Sequence, residues 1–366
     1  MSNTQKKNVP ELRFLGFEGE WEEKQLGDII KVNSGKDYKH LDKGDIPVYG
    51  TGGYMTSVSE PLSEIDAVGI GRKGTINKPY LLEAPFWTVD TLFYCTPKKE
   101  TDILFILSLF RKINWKVYDE STGVPSLSKQ TINKINRFVP TNKEQQKIGK
   151  FFSKLDRQIE LEEQKLELLQ QQKKGYMQKI FSQELRFKDE NGNDYPEWEE
   201  TTIKEIAQIN TGKKDTKDAI TNGSYDFYVR SPIVYKINTF SYEGEAILTV
   251  GDGVGVGKVF HYVNGKFDYH QRVYKISDFK NYYGLLLFYY FSQNFLKETK
   301  KYSAKTSVDS VRKDMIANMK VPRPIYIEQE KIGQFIKKVD NKIKIQKQVI
   351  ELLKQRKKAL LQKMFI

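Results

Sequence analysis

Residues 144–181 read E-Q-Q-K-I-G-K-F-F-S-K-L-D-R-Q-I-E-L-E-E-Q-K-L-E-L-L-Q-Q-Q-K-K-G-Y-M-Q-K-I-F, with no proline and with glycine only at Gly149 and Gly175. Large apolar residues fall at Ile148, Leu155, Ile159, Leu166, Leu169, Tyr176 and Ile180. Spacings of three, four and seven keep them in one stripe on one helix face. The spacing predicts a single long helix, which at about 1.5 Å per residue spans roughly 57 Å. A helix of that length needs a partner along its stripe.

The partner is encoded at the other end of the chain. Ile332, Val339, Ile343, Ile350, Leu353, Leu360 and Met364 each stand 184 positions after the residues just named, and E-Q-x-K-I-G-x-F and Q-K-x-F recur in both segments. Two matching stripes predict an antiparallel coiled coil with these fourteen residues as its seam.

Working outward, the repeat covers nearly everything. E-L-R-F-L-G-F-E-G-E-W-E-E starts at Glu11 and leads to N-S-G-K at Asn33; E-L-R-F-K-D-E-N-G-N-D-Y-P-E-W-E-E starts at Glu184 and leads to N-T-G-K at Asn210. The chain is therefore a tandem duplication, about 11–181 and 184–365. Its expected organisation is a globular domain over 1–143, a long helix over 144–183, a second globular domain over 184–327 and a second long helix over 328–366. The middles diverge but align at an offset of 180, with I-G-R-K-G-T-I-N-K (70–78) against V-G-D-G-V-G-V-G-K (250–258). Apolar runs at 46–49, 67–70, 89–95, 225–229, 246–250 and 272–276, set off by Gly, Pro and Asn, predict strands; 103–118 and 282–302 predict helices. The fold class is α+β, two homologous mixed α/β domains joined by two long helices. A shared scaffold with divergent centres presents two different surfaces.

Among 366 residues, 39% are hydrophobic and 13% aromatic, enough for two ordinary cores. One cysteine, Cys95, excludes a disulfide framework, and three histidines make a structural metal a poor expectation. The N-terminal stretch lacks the apolar core of a signal peptide and the run 282–291 is too short to cross a bilayer, so a cytoplasmic protein is expected. Lys and Arg outnumber Asp and Glu by 60 to 47, a net charge of +13 that favours a polyanionic partner. The second long helix alone carries eleven Lys/Arg against four Asp/Glu from Glu328 onward.

Enzyme signatures fail on inspection. Gly69-Ile-Gly-Arg-Lys-Gly74 fits G-x-G-x-x-G, but Pro79 follows where a helix should open and the second copy lacks the pattern. Residues 252–258 depart from a phosphate loop at both Asp252 and Val259. No Pro-Pro is present to build the base-holding motif of an adenine methyltransferase. Glu163-Gln-Lys165 and Glu298-Thr-Lys300 match only the tail of a nuclease motif and lie on predicted helices.

The duplicated W-E-x-x-x-L/I-x-x-I-x-x-x-N-S/T-G-K opening, the strand with its Gly-rich turn, the Ser/Thr-containing segments before Pro140 and Pro324, and the E-Q-x-K-I helix resemble the specificity subunit of type I restriction–modification enzymes. The resemblance implies two target-recognition domains that each read half of a bipartite double-stranded DNA site, and two helices acting as a spacer. It implies no catalysis on this chain and no cofactor of its own; S-adenosylmethionine, ATP and magnesium belong to the partners, two adenine methyltransferase subunits and two nuclease–translocase subunits. A reading without DNA, a protein-assembly scaffold with two binding heads on a coiled coil, stays open at this point.

Phosphate contacts supply affinity and base-edge contacts supply sequence. The expected DNA-binding residues are Lys36, Lys39, Arg72, Lys73 and Lys129 in the first domain. In the second they are Lys213, Lys214, Arg230, Lys258, His270, Gln271, Arg272, Lys305, Arg312 and Lys313. Arg72, Gln271 and Arg272 have side chains suited to bidentate readout of guanine or adenine. Tyr49 and Tyr228 are expected in core packing, with base stacking as the alternative, and Trp21 and Trp198 are expected to be structural.

Overall fold

The structure, a computed structural model, describes residues 8–301 and 310–366. It forms two compact units, one built from the chain through Lys165 together with Gln346–Ile366, the other from Leu166–Ile345.

In the first unit, strand Glu22–Gln25 pairs antiparallel with Asn136–Val139. After the single turn Leu26–Ile29, strand Ile30–Ser34 enters a four-stranded antiparallel sheet, followed in spatial order by Leu92–Pro97, Ala67–Gly71 and Tyr80–Leu82. A second, three-stranded sheet holds Gly53–Val58, Ile46–Gly50 and Trp87–Thr88. Helix Ile103–Lys112 buries Phe105, Ile106 and Phe110 completely.

The second unit repeats the opening, with Glu199–Thr202 pairing antiparallel with Lys320–Arg323. Its centre is one six-stranded sheet instead of two smaller ones: Gln208–Thr211, Val273–Ser277, Tyr242–Val250, Phe260–Tyr269, Tyr225–Tyr228, Val234–Ile237. The difference lies in one strand. Phe260–Tyr269 runs unbroken, antiparallel to Tyr242–Val250 and then parallel to Tyr225–Tyr228. The equivalent stretch 180 positions earlier is split into Tyr80–Leu82 and Trp87–Thr88 by Glu83-Ala84-Pro85. Proline lacks the N–H that a central ladder needs, so the sheet divides there.

Two expected elements are shorter than their sequence patterns. The 103–118 helix stops at Lys112, where Ile113 turns extended and the Trp115 indole N–H donates to the carbonyl of Phe110 at 2.7 Å; a separate 3-10 turn, Trp115–Tyr118, follows. The 89–95 strand starts only at Leu92, because Leu92 N–H closes a turn on Val89 and Thr91 accepts from Arg72 N–H.

The long helices are Asn142–Phe181 and Tyr326–Met364. Within each unit they run antiparallel. In the first, Glu163 meets Lys354 at 2.6 Å and Asp156 meets Lys357. In the second, Lys173 meets Asp340 at 2.6 Å and Tyr176 touches Phe335. Ile159 and Ile350 are buried in the first unit and Ile343 in the second, while Leu155, Leu166, Leu169, Val339, Leu353 and Leu360 are half-buried.

The ends of the stripe depart from a pure helix–helix seam. Ile148 and Met364, with Phe152, Leu361 and Phe365, sink into the globular core of the first unit; Ile180 and Ile332, with Met177 and Ile336, do the same in the second. Tyr176 stays 38% exposed while its ring meets that of Phe335 on the opposite helix in a T-shaped contact at 5.1 Å, and the neighbouring Met177 is buried in the core.

The shared E-Q-x-K-I-G motif anchors each helix to its unit. Fully buried Glu144 accepts two bonds from Arg13, at 2.8 and 2.7 Å; fully buried Glu328 accepts two from Arg186, and one from the Trp198 indole at 2.9 Å. Gln145 bridges Asp102 N–H and the Pro140 carbonyl, as Gln329 bridges Tyr283 N–H and the Pro324 carbonyl. Gly149 is there for close approach: a Cβ would lie 2.7 Å from Phe105 N.

Candidate nucleic-acid interface

Each unit leads its first central strand into N-S/T-G-K. A Cβ on Gly35 would fall 2.0 Å from the Val89 carbonyl oxygen, and one on Gly212 1.9 Å from that of Tyr269. Glycine is required because the next backbone crosses there, and the following lysines, Lys36 and Lys213, emerge exposed beside that crossing strand.

In the first unit three expected residues come together. Arg72 and Lys73 leave the Gly-rich turn, where Lys73 bridges to Ser126, and Lys129 opens the next helix. They line one open cleft of about 370 Å³ with Ser34 and Phe93. The Arg72 guanidinium and the Lys129 ammonium both stand over the Phe93 ring, 5.9 and 6.0 Å from its centroid. The loop on the other side is fixed by Asp119, which accepts from Ser121 and Ser126 N–H; these bonds hold its carboxyl below the usual range. Lys36 and Lys39 are exposed on the neighbouring turn, with the Lys36 carbonyl accepting from the Trp87 indole at 2.9 Å.

In the second unit two of the expected cations share one carboxylate. Asp252 accepts a hydrogen bond from Arg230 at 3.2 Å on one oxygen and forms an ion pair with Arg272 at 3.2 Å on the other. Asp215 accepts the Gln271 amide at 3.2 Å. Lys214 is half-buried, and its carbonyl accepts from Gln271 N–H at 2.8 Å. Arg312 and Lys313 are exposed at the start of Lys313–Ala317, one and two residues past Val311, whose N–H bonds Gly251 at 2.7 Å. Lys258 is exposed at the far end of the glycine turn, where Gly257 abuts Leu296. Lys305 lies outside the described residues.

His270 is a correction. Only 2% of it is exposed, and its Nδ1 accepts the N–H of Arg272 at 2.9 Å. Burial above all, then the nearby Arg230 charge, hold its pKa below the ordinary histidine range, so the ring is neutral at pH 7 and shapes the turn instead of meeting DNA. Tyr228, at 7% exposure, is core against Phe267, and Tyr49 is half-buried against Tyr80.

Sequence reading missed Asp252 and Asp215. The available signal was the alignment itself, which sets Asp252 at the register of Arg72, so that the two units carry opposite charges at one scaffold position.

Cys95 is fully buried and its thiol pKa is raised by that burial, so it is no nucleophile. Among the described residues no group of three or more His, Cys, Asp and Glu converges as a metal site, and no helix is long and apolar enough to cross a membrane.

Fold and surface define a duplicated recognition scaffold: one frame used twice, with different exposed arginine, lysine and amide groups at corresponding edges. The chain belongs to the family of the type I restriction modification DNA specificity domain, whose model matches it twice, over residues 18–171 and 195–355. It is a specificity subunit with two target-recognition domains, a non-catalytic component of a type I restriction–modification system. It is 24% identical to the MjaVIII specificity subunit of Methanocaldococcus jannaschii, across 97% of this chain and 94% of that one. Across 45% of this chain and 37% of the relative, it is 25% identical to the EcoDI specificity subunit of Escherichia coli. Its fold matches the crystal structure of the type I S subunit from M. genitalium with a TM-score of 0.72 at 16% identity, covering 98% and 99% of the two chains. A chain from a study of type I R-M complex assembly and conformational transition matches at 0.53 and 13%, covering 94% and 97%.

Proposed function

We propose that each unit reads one half of a bipartite double-stranded DNA sequence, and that the long helices serve as the spacer between the two readings. The observation that carries this is the conjunction of a twice-matched specificity domain with different exposed base-reading side chains on equivalent edges: Arg72 in the first unit, Gln271 and Arg272 in the second. Arginine pairs two N–H groups with guanine O6 and N7, and glutamine pairs its amide with adenine N6 and N7. With one Nε2 hydrogen held by Asp215, Gln271 keeps a second donor and its acceptor oxygen free for that pairing. Lys36, Lys39, Lys73, Lys129, Lys213, Lys214, Arg230, Lys258, Lys305, Arg312 and Lys313 supply phosphate contacts. The functional segments are taken as 1–143, 144–183, 184–327 and 328–366.

The complex we infer contains two adenine methyltransferase and two nuclease–translocase subunits, which carry S-adenosylmethionine, ATP and magnesium. The family's cytoplasmic setting is part of the same reading. Its test is modularity. Replacing residues 36–130 by the corresponding segment of another specificity subunit should change one half of the recognised sequence and leave the other unaltered, as read by sequencing modified adenines in host DNA. Simultaneous change of both halves, or of neither, overturns the two-reader model.

A further inference from the structure

We infer that Asp252 is a positioning residue that sets base specificity in the second unit, by holding Arg272 and Arg230 on its two carboxylate oxygens. This rests on the reading of Arg272 as a base contact. The carboxylate is 21% exposed, whereas the arginine side chains it holds are 62% and 51% exposed, so the pair of forks reaches outward from a sheltered anchor.

The anchor itself is tied on both sides. Gly251 N–H donates to the Arg272 carbonyl at 2.8 Å, Val311 N–H donates to the Gly251 carbonyl at 2.7 Å, and Asp252 forms a bridge with Ser310. A free arginine has several rotamers and finds any nearby phosphate; one tethered to a fixed carboxylate presents its remaining N–H groups in one direction, which is what bidentate pairing with guanine needs. The carboxylate also cancels one of the two positive charges, leaving the cluster at +1. It therefore weakens sequence-blind attraction while sharpening base choice. At the equivalent register the first unit has Arg72, lying over Phe93, so its half-site is read without this device.

The two effects have opposite signs, which separates positioning from a general structural role. In the full-length chain, Asp252→Asn should lose about tenfold in discrimination at one base position of the second half-site. It should also bind random-sequence duplex more tightly, with a salt slope steeper by up to about 0.9 as a released arginine takes a phosphate. Selection from randomised duplexes gives the first quantity and salt titration the second. The first half-site serves as internal control. Arg272→Ala should relax the same base position as Asp252→Asn, and the double variant should add little.

If the two variants relax different positions, Asp252 reads a base itself and the inference fails. It fails equally if Asp252→Asn leaves discrimination unchanged, or weakens specific and random binding together. No effect of Arg272→Ala at any position would instead sink the underlying assignment of Arg272. Should Asp252→Asn not fold, Asp252→Glu keeps the charge and displaces the carboxylate by one methylene; it should relax the same position with the salt slope unaltered, and unrelaxed discrimination there overturns the inference.

Discussion

Gln346 donates its side-chain amide to the backbone carbonyl of Glu162 at 2.9 Å and to its carboxylate at 2.6 Å, and the two residues stand 184 positions apart, the offset that relates the repeats. Two antiparallel copies of one helix bring equivalent residues face to face at a single crossing point, and this contact marks it. Gln346 is 5% exposed, and its bond is the main reason the Glu162 carboxyl sits below its ordinary range. A buried polar pair in the seam fixes register, because any slip leaves the buried amide without its acceptor.

The crossing point is the place to test the spacer. Inserting one heptad after Lys165 and one after Ile345 keeps both stripes in phase, leaves Gln346 on Glu162 and adds about 10 Å. That corresponds to roughly three base pairs. The two half-sequences should persist with a wider gap between them and some loss of affinity from the added twist. An active variant whose modified sites keep the original gap would show that these helices do not set the spacing.

Readers and phosphate contacts should separate in binding assays. Arg272→Ala should cost about 1–3 kcal/mol at one base position, whereas Lys213→Ala should weaken all sequences alike and lower the salt slope by about one. Equal, sequence-blind losses from both would strike Arg272 from the readers.

The two buried helix anchors should differ in sensitivity. Arg13→Ala strips both guanidinium bonds from fully buried Glu144, and breaking a buried pair costs about 3–5 kcal/mol. Arg186→Ala should cost less, because Glu328 keeps the Trp198 indole. Denaturant unfolding that shows Arg186→Ala as the more damaging variant would contradict this account.

Acid should destabilise the second unit in a defined window. His261 and His270 both have depressed pKa values, burial being the first cause in each. The unfolded chain takes up these protons near pH 6.5 while the folded one resists. Stability from this source is therefore complete above about pH 6.5 and falls as pH drops toward the folded values. The depressed carboxylates of this unit, Asp189, Glu205 and Asp215, act lower, below about pH 4.5. A double His261→Asn, His270→Asn variant should melt with a flatter pH dependence between 7.5 and 5; an unchanged slope would assign the loss elsewhere.

Much of this protein was determined by sequence alone, because its main signals are local and periodic. The stripe from Ile148 to Ile180, its copy 184 residues on, the doubled W-E…N-S/T-G-K opening and the Gly-rich turns all follow from periodicity, repetition and turn residues along the chain. Those signals suffice for the duplication, the antiparallel helices and the turns that carry Arg72 and Arg272. Tertiary structure decided what depends on partners far along the chain. Arg13 with Glu144, Arg230 and Arg272 with Asp252, and Gln271 with Asp215 are long-range pairs that no window reveals. Burial is likewise collective: it withdrew His270 from the surface, exposed Tyr176 and drew the ends of the stripe into two cores. A charge in sequence shows what a residue offers, and only the fold decides whether solvent or a carboxylate receives it.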